Sequence, residues 1–107
     1  MAGSAKVALL VTALASLASA PVVAQDLMAG EEKYQSVCRN CHGPTGKGMA
    51  SFPKLAGQDA ETLTILLQEY RAGETLGPNT GLMAPHAKKL TDDEIANLAA
   101  YISQTFE

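Results

Sequence analysis

The segment Cys38-Arg39-Asn40-Cys41-His42 decides the fold, because it places two thiols and an imidazole within five consecutive residues. The chain has 107 residues, no further cysteine, and one other histidine, His86. A thioredoxin-type redox pair shares the C-x-x-C spacing but needs a strand before the motif, whereas the residues before Cys38 have the pattern of a helix. A structural zinc site needs about four ligands, usually two closely spaced pairs, and the chain has no second pair beside Cys38 and Cys41.

The interpretation that accounts for all three side chains is covalent haem attachment. Two thiols separated by two residues match the spacing of the two vinyl groups of haem, and the histidine that follows becomes the proximal ligand of the iron. The motif occurs once. We therefore predict one covalently bound haem c per chain, attached through Cys38 and Cys41, with His42 as an axial ligand.

The iron then needs a sixth ligand or has an open site. Methionine is a soft, neutral donor that raises the reduction potential. Met28 lies at the start of the domain, and Met49 is only seven residues beyond the motif histidine. Met83 lies 41 residues beyond it, in a segment whose glycines and prolines are typical of a loop. We expect Met83 on a loop as the second axial ligand, with His86 as the rival donor.

Residues 1–24 have the pattern of a secretory signal peptide. Lys6 precedes an uncharged apolar run over residues 7–18, and small residues precede the expected cleavage after Ala24. A competing site lies four residues earlier, but the proline that follows it would hinder the peptidase. The run is shorter than the roughly 20 apolar residues of a membrane anchor. We predict a cleaved leader and one mature domain, 25–107, which is periplasmic if the source is Gram-negative.

Length and charge exclude several classes of protein. A chain of 107 residues supports one domain, which is too little for a multidomain enzyme or a doubly wound dinucleotide fold. Without Lys6, seven basic residues face 11 acidic ones, a net charge of −4. A weakly acidic domain without a basic stripe argues against binding to nucleic acid.

The hydrophobic pattern predicts three helices and no strand. The first spans Leu27–Val37 with Asp26 as its N-cap. The second follows Asp59 and ends at Gly73. The third begins at the capping box Thr91-Asp92-Asp93-Glu94. Each carries one apolar stripe at helical spacing, so we predict an all-α fold.

These features together resemble the class I c-type cytochromes of the short bacterial kind. The resemblance covers residues 26–106, nearly the whole mature chain. Four motifs in this order carry it: Tyr34-x-x-x-Cys38-x-x-Cys41-His42-Gly43, Phe52-Pro53-Lys54-Leu55-Ala56-Gly57, Met83, and Leu98-Ala99-Ala100-Tyr101-Ile102.

The resemblance implies the all-α cytochrome c fold, with three main helices and loops wrapped around one covalent haem. It implies that the carbonyl of Pro53 accepts the Nδ1–H of His42, and that Leu55 packs on the haem. It further implies close crossing of the first and last helices, with Gly30 and Tyr34 meeting Leu98 and Tyr101.

The function implied is that of a periplasmic one-electron carrier with His/Met axial ligation, with no catalytic residues. It exchanges electrons with redox protein partners, as a monomer or a complex subunit, and has no stable membrane anchor. One alternative is a haem c subunit of a periplasmic oxidoreductase complex. Another is a ligand-binding or peroxidatic haem protein with an open iron site, which requires that Met83 does not bind.

Overall fold

The computed structural model describes residues 25–107 together with Gly3, so the predicted leader and its cleavage site lie outside the described residues apart from Gly3. Within residues 25–107, five α-helices and one π-helical turn follow each other: α1 (Leu27–Lys33), the π-turn (Tyr34–Cys38), α2 (Arg39–His42), α3 (Ala60–Ala72), α4 (Thr80–Ala87) and α5 (Asp92–Thr105). Between residues 25 and 107 the only β pairing is an isolated bridge between Met49 and Phe52. None of the helices in this range is both long and apolar enough to cross a membrane. The prediction of an all-α fold is confirmed.

The first helical segment starts where it was predicted but ends later. The Asp26 side chain accepts a hydrogen bond from the Ala29 N–H and caps α1. The predicted end at Val37 is wrong, since the π-turn and α2 continue the helical path through His42. No helix-breaking residue interrupts it before Gly43, where a φ of 85° ends the helical path.

The second predicted helix has the expected start and end, and the third has the expected start. Asp59 caps α3 by accepting a 2.7 Å hydrogen bond from the Thr62 N–H, and Gly73 ends it in the left-handed conformation. At the start of α5, the Thr91 hydroxyl accepts from the Glu94 N–H, and the Glu94 carboxylate accepts from the Thr91 N–H. These predictions from capping residues are confirmed.

The expectation that Met83 lies on a loop is wrong, because residues 80–87 form α4. Gly77 and Pro78 precede this helix and do not interrupt it. The Thr80 hydroxyl accepts hydrogen bonds from the backbone N–H groups of Leu76 and Gly77, which organises the turn into α4. Pro85 removes only one hydrogen bond from so short a helix.

The crossing of α1 and α5 forms one side of the core. A Cβ atom at Gly30 would clash with the carbonyl oxygen of Asn97 and lie 2.9 Å from the Cβ of Tyr101, so glycine allows the two backbones to approach. The fully buried Tyr34 ring packs at centroid distances of 5.8 Å from Tyr101 and 4.9 Å from Phe106. The predicted contact with Tyr101 is present, and Leu98 belongs to the same buried cluster as Tyr34. Gly30 also lies against the backbone of Asn97.

Candidate haem-binding site

A cavity of about 290 Å³ lies between α2, α3, α4 and the segment that follows α2. All six side chains predicted to form the site line its wall: Cys38, Cys41, His42, Pro53, Leu55 and Met83. Residues spread over 46 positions of the chain therefore meet in one place. The helical path through the π-turn and α2 supplies the two thiols and the imidazole, and α4 supplies the thioether.

The ring of His42 is held in one orientation. It ends α2, is 7% exposed, and its Nδ1 lies 2.8 Å from the carbonyl oxygen of Pro53. A carbonyl oxygen can only accept a hydrogen bond, so Nδ1 carries the proton and the lone pair of a neutral ring is on Nε2. The Gly48 N–H also donates to the His42 carbonyl at 2.9 Å. These hydrogen bonds orient Nε2 as a metal ligand and make it a stronger electron-pair donor to a metal.

The two cysteines are free thiols, Cys38 at the end of the π-turn and Cys41 within α2. Burial raises the pKa of the Cys38 thiol to about 11, so it is neutral near pH 7. Redox-active C-x-x-C motifs have the opposite property, a lowered thiol pKa. Within residues 25–107, no group of three or more His, Cys, Asp or Glu side chains is placed to hold a metal ion.

One face of α4 and its N-cap lines the opposite part of the cavity. Four side chains share this face, spaced as successive helical neighbours: Asn79, Leu82, Met83 and His86. The helix therefore presents both candidate donors, Met83 and His86, to the same cavity, one turn apart. Leu82 is 59% exposed and extends the apolar wall to the surface.

Most of the remaining wall consists of the apolar helical stripes, which we predicted only as packing faces of the helices. The α3 and α5 side chains of the wall are Leu63, Leu66, Leu67, Tyr70, Leu98 and Ile102. Periodicity shows which helical face is apolar, but it does not distinguish a face packed on protein from a face packed on a cofactor. Val37, Phe52 and Leu76 also line the cavity. Phe52 belongs to one of the motifs that carry the resemblance, whereas Leu76 carried no sequence signal of its own.

These residues fit a haem. The cavity combines an apolar wall, two thiols at the spacing of the haem vinyl groups, an oriented imidazole and a thioether. The fold and the donor set thus define a small all-helical protein built to hold a haem through its own side chains.

Comparison with known proteins agrees with this class. The sequence profile of the family Cytochrome c matches residues 27–106, so the chain belongs to the cytochrome c family. It is 44% identical over 81 residues to cytochrome c-554(548) of Halomonas halodenitrificans, covering 75% of this chain and 96% of that protein. It is 42% identical over 67 residues to the thiosulfate dehydrogenase electron acceptor of Stutzerimonas stutzeri, covering 62% of this chain and 31% of that protein.

The fold comparison gives the same family. The crystal structure of reduced recombinant cytochrome c4 from Pseudomonas stutzeri superimposes with a TM-score of 0.69 at 33% identity, covering 76% of this chain and 48% of the other. The chain is therefore a bacterial c-type cytochrome with the all-α cytochrome c fold. It is a haem c electron carrier, and its family binds haem c covalently.

Proposed function

We propose that this chain carries one electron at a time in the periplasm, using a single haem attached to Cys38 and Cys41 and ligated by His42 and Met83. The observation that carries the proposal is that these four side chains line one cavity. The C-x-x-C-H motif occurs once in the sequence, which supports one haem per chain.

The axial residues have distinct tasks. A bound haem supplies a one-electron couple between ferrous and ferric iron. The 2.8 Å hydrogen bond to Pro53 orients the ring of His42 in the cavity. The ring therefore does not have to move when the oxidation state of the iron changes. Met83 contributes a neutral, soft sulfur, which favours the ferrous state and raises the reduction potential.

The cavity wall serves electron transfer by keeping the site dry. Leu63 and Leu98 are 3% and 1% exposed, and together with Ile102 they form an apolar inner surface. A dry, rigid surrounding leaves few dipoles to reorganise when the charge of the site changes. If His42 and Met83 both hold the iron, no exogenous ligand would need to reach it, which favours a carrier over an open-site haem protein.

Export supports the assignment to the periplasm. The leader pattern of residues 1–24 directs the chain out of the cytoplasm. The two cysteines are committed to haem in this proposal, so the mature domain has no further thiol that could form a wrong disulfide in an oxidising compartment.

A second candidate is that the same site serves as a haem subunit of an oxidoreductase complex. The likeness to the thiosulfate dehydrogenase electron acceptor favours it. Both candidates require redox protein partners and the same iron chemistry. They differ in whether the partner stays bound, which size-exclusion chromatography of the protein from its native source distinguishes.

The proposal is tested on the purified holoprotein. We expect the haem to stay attached after denaturation and acidic solvent extraction, the mass to equal that of residues 25–107 plus one haem, and the redox titration to follow a one-electron Nernst curve. A Cys38→Ala, Cys41→Ala variant serves as the control and should yield no covalently attached haem. Extractable haem in the wild-type protein, or more than one haem per chain, would overturn the proposal.

A further inference from the structure

A buried hydrogen bond closes the segment that carries the haem-binding residues. The Tyr34 hydroxyl donates to the carbonyl oxygen of Gly43 at 2.6 Å, across nine positions of the chain. Cys38, Cys41 and His42 all lie between the two bonded residues. The bond therefore ties the start of the π-turn to the residue directly after the iron-binding histidine.

The hydroxyl has a role that packing alone does not explain. The Tyr34 ring is 0% exposed and contacts Tyr101 and Phe106, and phenylalanine would make the same ring contacts. A buried hydroxyl costs free energy unless it is hydrogen-bonded, and its partner here is the Gly43 carbonyl. Burial raises the pKa of Tyr34 to about 12, so the phenol remains a neutral donor across the physiological range.

The hydrogen bond from Tyr34 is the shorter of two hydrogen bonds to the Gly43 carbonyl oxygen. The Gly46 N–H also donates to this oxygen, but at 3.4 Å. Two further hydrogen bonds hold the neighbouring histidine: Gly48 N–H to the His42 carbonyl at 2.9 Å, and His42 Nδ1–H to the Pro53 carbonyl at 2.8 Å. The three bonds restrain His42 through the carbonyl of the next residue, Gly43, through its own carbonyl and through its ring.

We propose that Tyr34 is a positioning residue for electron transfer, whose hydroxyl orients His42 through the Gly43 carbonyl and thereby sets the reduction potential. This inference rests on the proposed ligation of the iron by His42. Hydrogen bonding around the iron ligands is one of the means by which a protein adjusts a haem potential. The donated hydrogen bond partly neutralises the negative end of the Gly43 carbonyl, so its loss favours the ferric state and lowers the potential.

The test compares two variants that each lose one buried hydroxyl from the same aromatic cluster. Tyr34→Phe removes the bond to Gly43. Tyr101→Phe is the matched control, because its hydroxyl accepts a long 3.5 Å hydrogen bond from the Gln35 side chain and makes no bond to the backbone at His42 or Gly43. We expect a lower reduction potential and shifted paramagnetic proton resonances of the His42 ring in Tyr34→Phe. The Tyr101→Phe holoprotein should match the wild type in both measurements.

Stability alone does not distinguish a positioning role from a structural one. The folding equilibrium constant of Tyr34→Phe should fall about tenfold, because a buried carbonyl loses its short bond. The inference is overturned if the potential and the His42 resonances of Tyr34→Phe equal those of Tyr101→Phe, even where its stability falls. Covalent attachment of haem and the methionine–iron absorption band are measured on the same samples, so a failure of the proposed ligation would be seen separately.

A second substitution covers the case in which Tyr34→Phe does not accumulate as holoprotein. 3-Fluorotyrosine installed at position 34 keeps the ring and makes the phenol a stronger donor. The potential should then shift upward, and the same residue installed at position 101 should leave it unchanged. An unchanged potential with 3-fluorotyrosine at position 34 would contradict the inference.

Discussion

The Nδ1 atom of His42 and the carbonyl oxygen of Pro53 lie 2.8 Å apart across eleven positions of the chain. The bond fixes which ring nitrogen carries the proton and which is free for a metal. It joins α2 to the segment that follows it, so the orientation of the proposed ligand depends on tertiary structure and not on α2 alone.

This bond predicts slow solvent exchange of one imidazole proton. In the holoprotein, the His42 Nδ1 proton should exchange slowly enough to give a separate nuclear magnetic resonance signal near neutral pH. The exposed ring of His86 provides the internal control, and its nitrogen proton should exchange too fast to be seen. Exchange at His42 as fast as that at His86 would show that the bond to Pro53 is absent in solution.

The approach of α1 and α5 predicts opposite effects for two helical glycines. Gly30→Ala places a methyl group against the Asn97 carbonyl and should destabilise the protein by about 1–3 kcal/mol, because the helices must separate. Gly81→Ala lies on α4 with no atom within 4 Å of the added methyl group, and should be neutral or stabilise by about 0.5–1 kcal/mol. Urea unfolding of both holoproteins measures the difference, and equal stabilities would contradict the close packing at Gly30.

The ion pair between α1 and α5 predicts a pH-dependent contribution to stability. Lys33 Nζ lies 2.6 Å from a carboxylate oxygen of Glu94. Hydrogen bonding to Lys33 lowers the pKa of Glu94, and hydrogen bonding to Glu94 raises the pKa of Lys33. The contribution is therefore present between the ordinary pKa values of the two groups. It is lost as the pH falls through the lowered pKa of Glu94 or rises through the raised pKa of Lys33.

Glu94→Gln tests this contribution, since glutamine retains the capping box with Thr91. The pair is partly exposed, so the loss near pH 7 should be at most about 1 kcal/mol, and it should vanish at pH values below the lowered pKa of Glu94. Asp93→Asn removes a neighbouring charge at the same helix end and serves as the control. A loss in Glu94→Gln that is independent of pH would show that the ion pair does not contribute.

Several elements followed from local signals in the sequence. Asp26, Asp59 and Thr91 each begin a helix because their side chains satisfy free backbone N–H groups, and such capping is readable residue by residue. The bond from His42 to Pro53 followed from the resemblance to a family. In both cases a short stretch of residues carries the signal.

Other elements depend on tertiary structure and were not predicted. The composition around Met83 indicated a loop, but the turn held by Thr80 starts a helix there. The bond from Tyr34 to Gly43 also carried no signal, because a buried tyrosine and a buried phenylalanine fit the same apolar stripe. The side of α3 that lines the cavity was predicted as a core face, since a cofactor and a protein core present the same kind of surface to a helix.

The cavity predicts that the fold depends on its cofactor. Without a bound haem, the apolar wall of the cavity would be exposed to water, and the whole stability of a small domain is only about 5–15 kcal/mol. Cys38→Ala with Cys41→Ala should therefore leave a largely unfolded apoprotein by far-ultraviolet circular dichroism. Met83→Ala keeps both thioether links and should retain the helical spectrum. A native-like spectrum of the double cysteine variant would refute the dependence.

The sixth ligand is the point on which the assignment as an electron carrier depends most. Met83 and His86 line the same cavity from the same face of α4, so substitution must decide between them. Met83→Ala should open the iron and allow the reduced protein to bind carbon monoxide rapidly. His86→Ala is the matched control and should behave as the wild type.

The most direct measurement is the far-red absorption spectrum of the ferric holoprotein. The account predicts the charge-transfer band of methionine–iron coordination in the wild type and in His86→Ala, and its loss in Met83→Ala. A wild-type protein without this band, or a Met83→Ala protein that retains it, would contradict ligation by Met83.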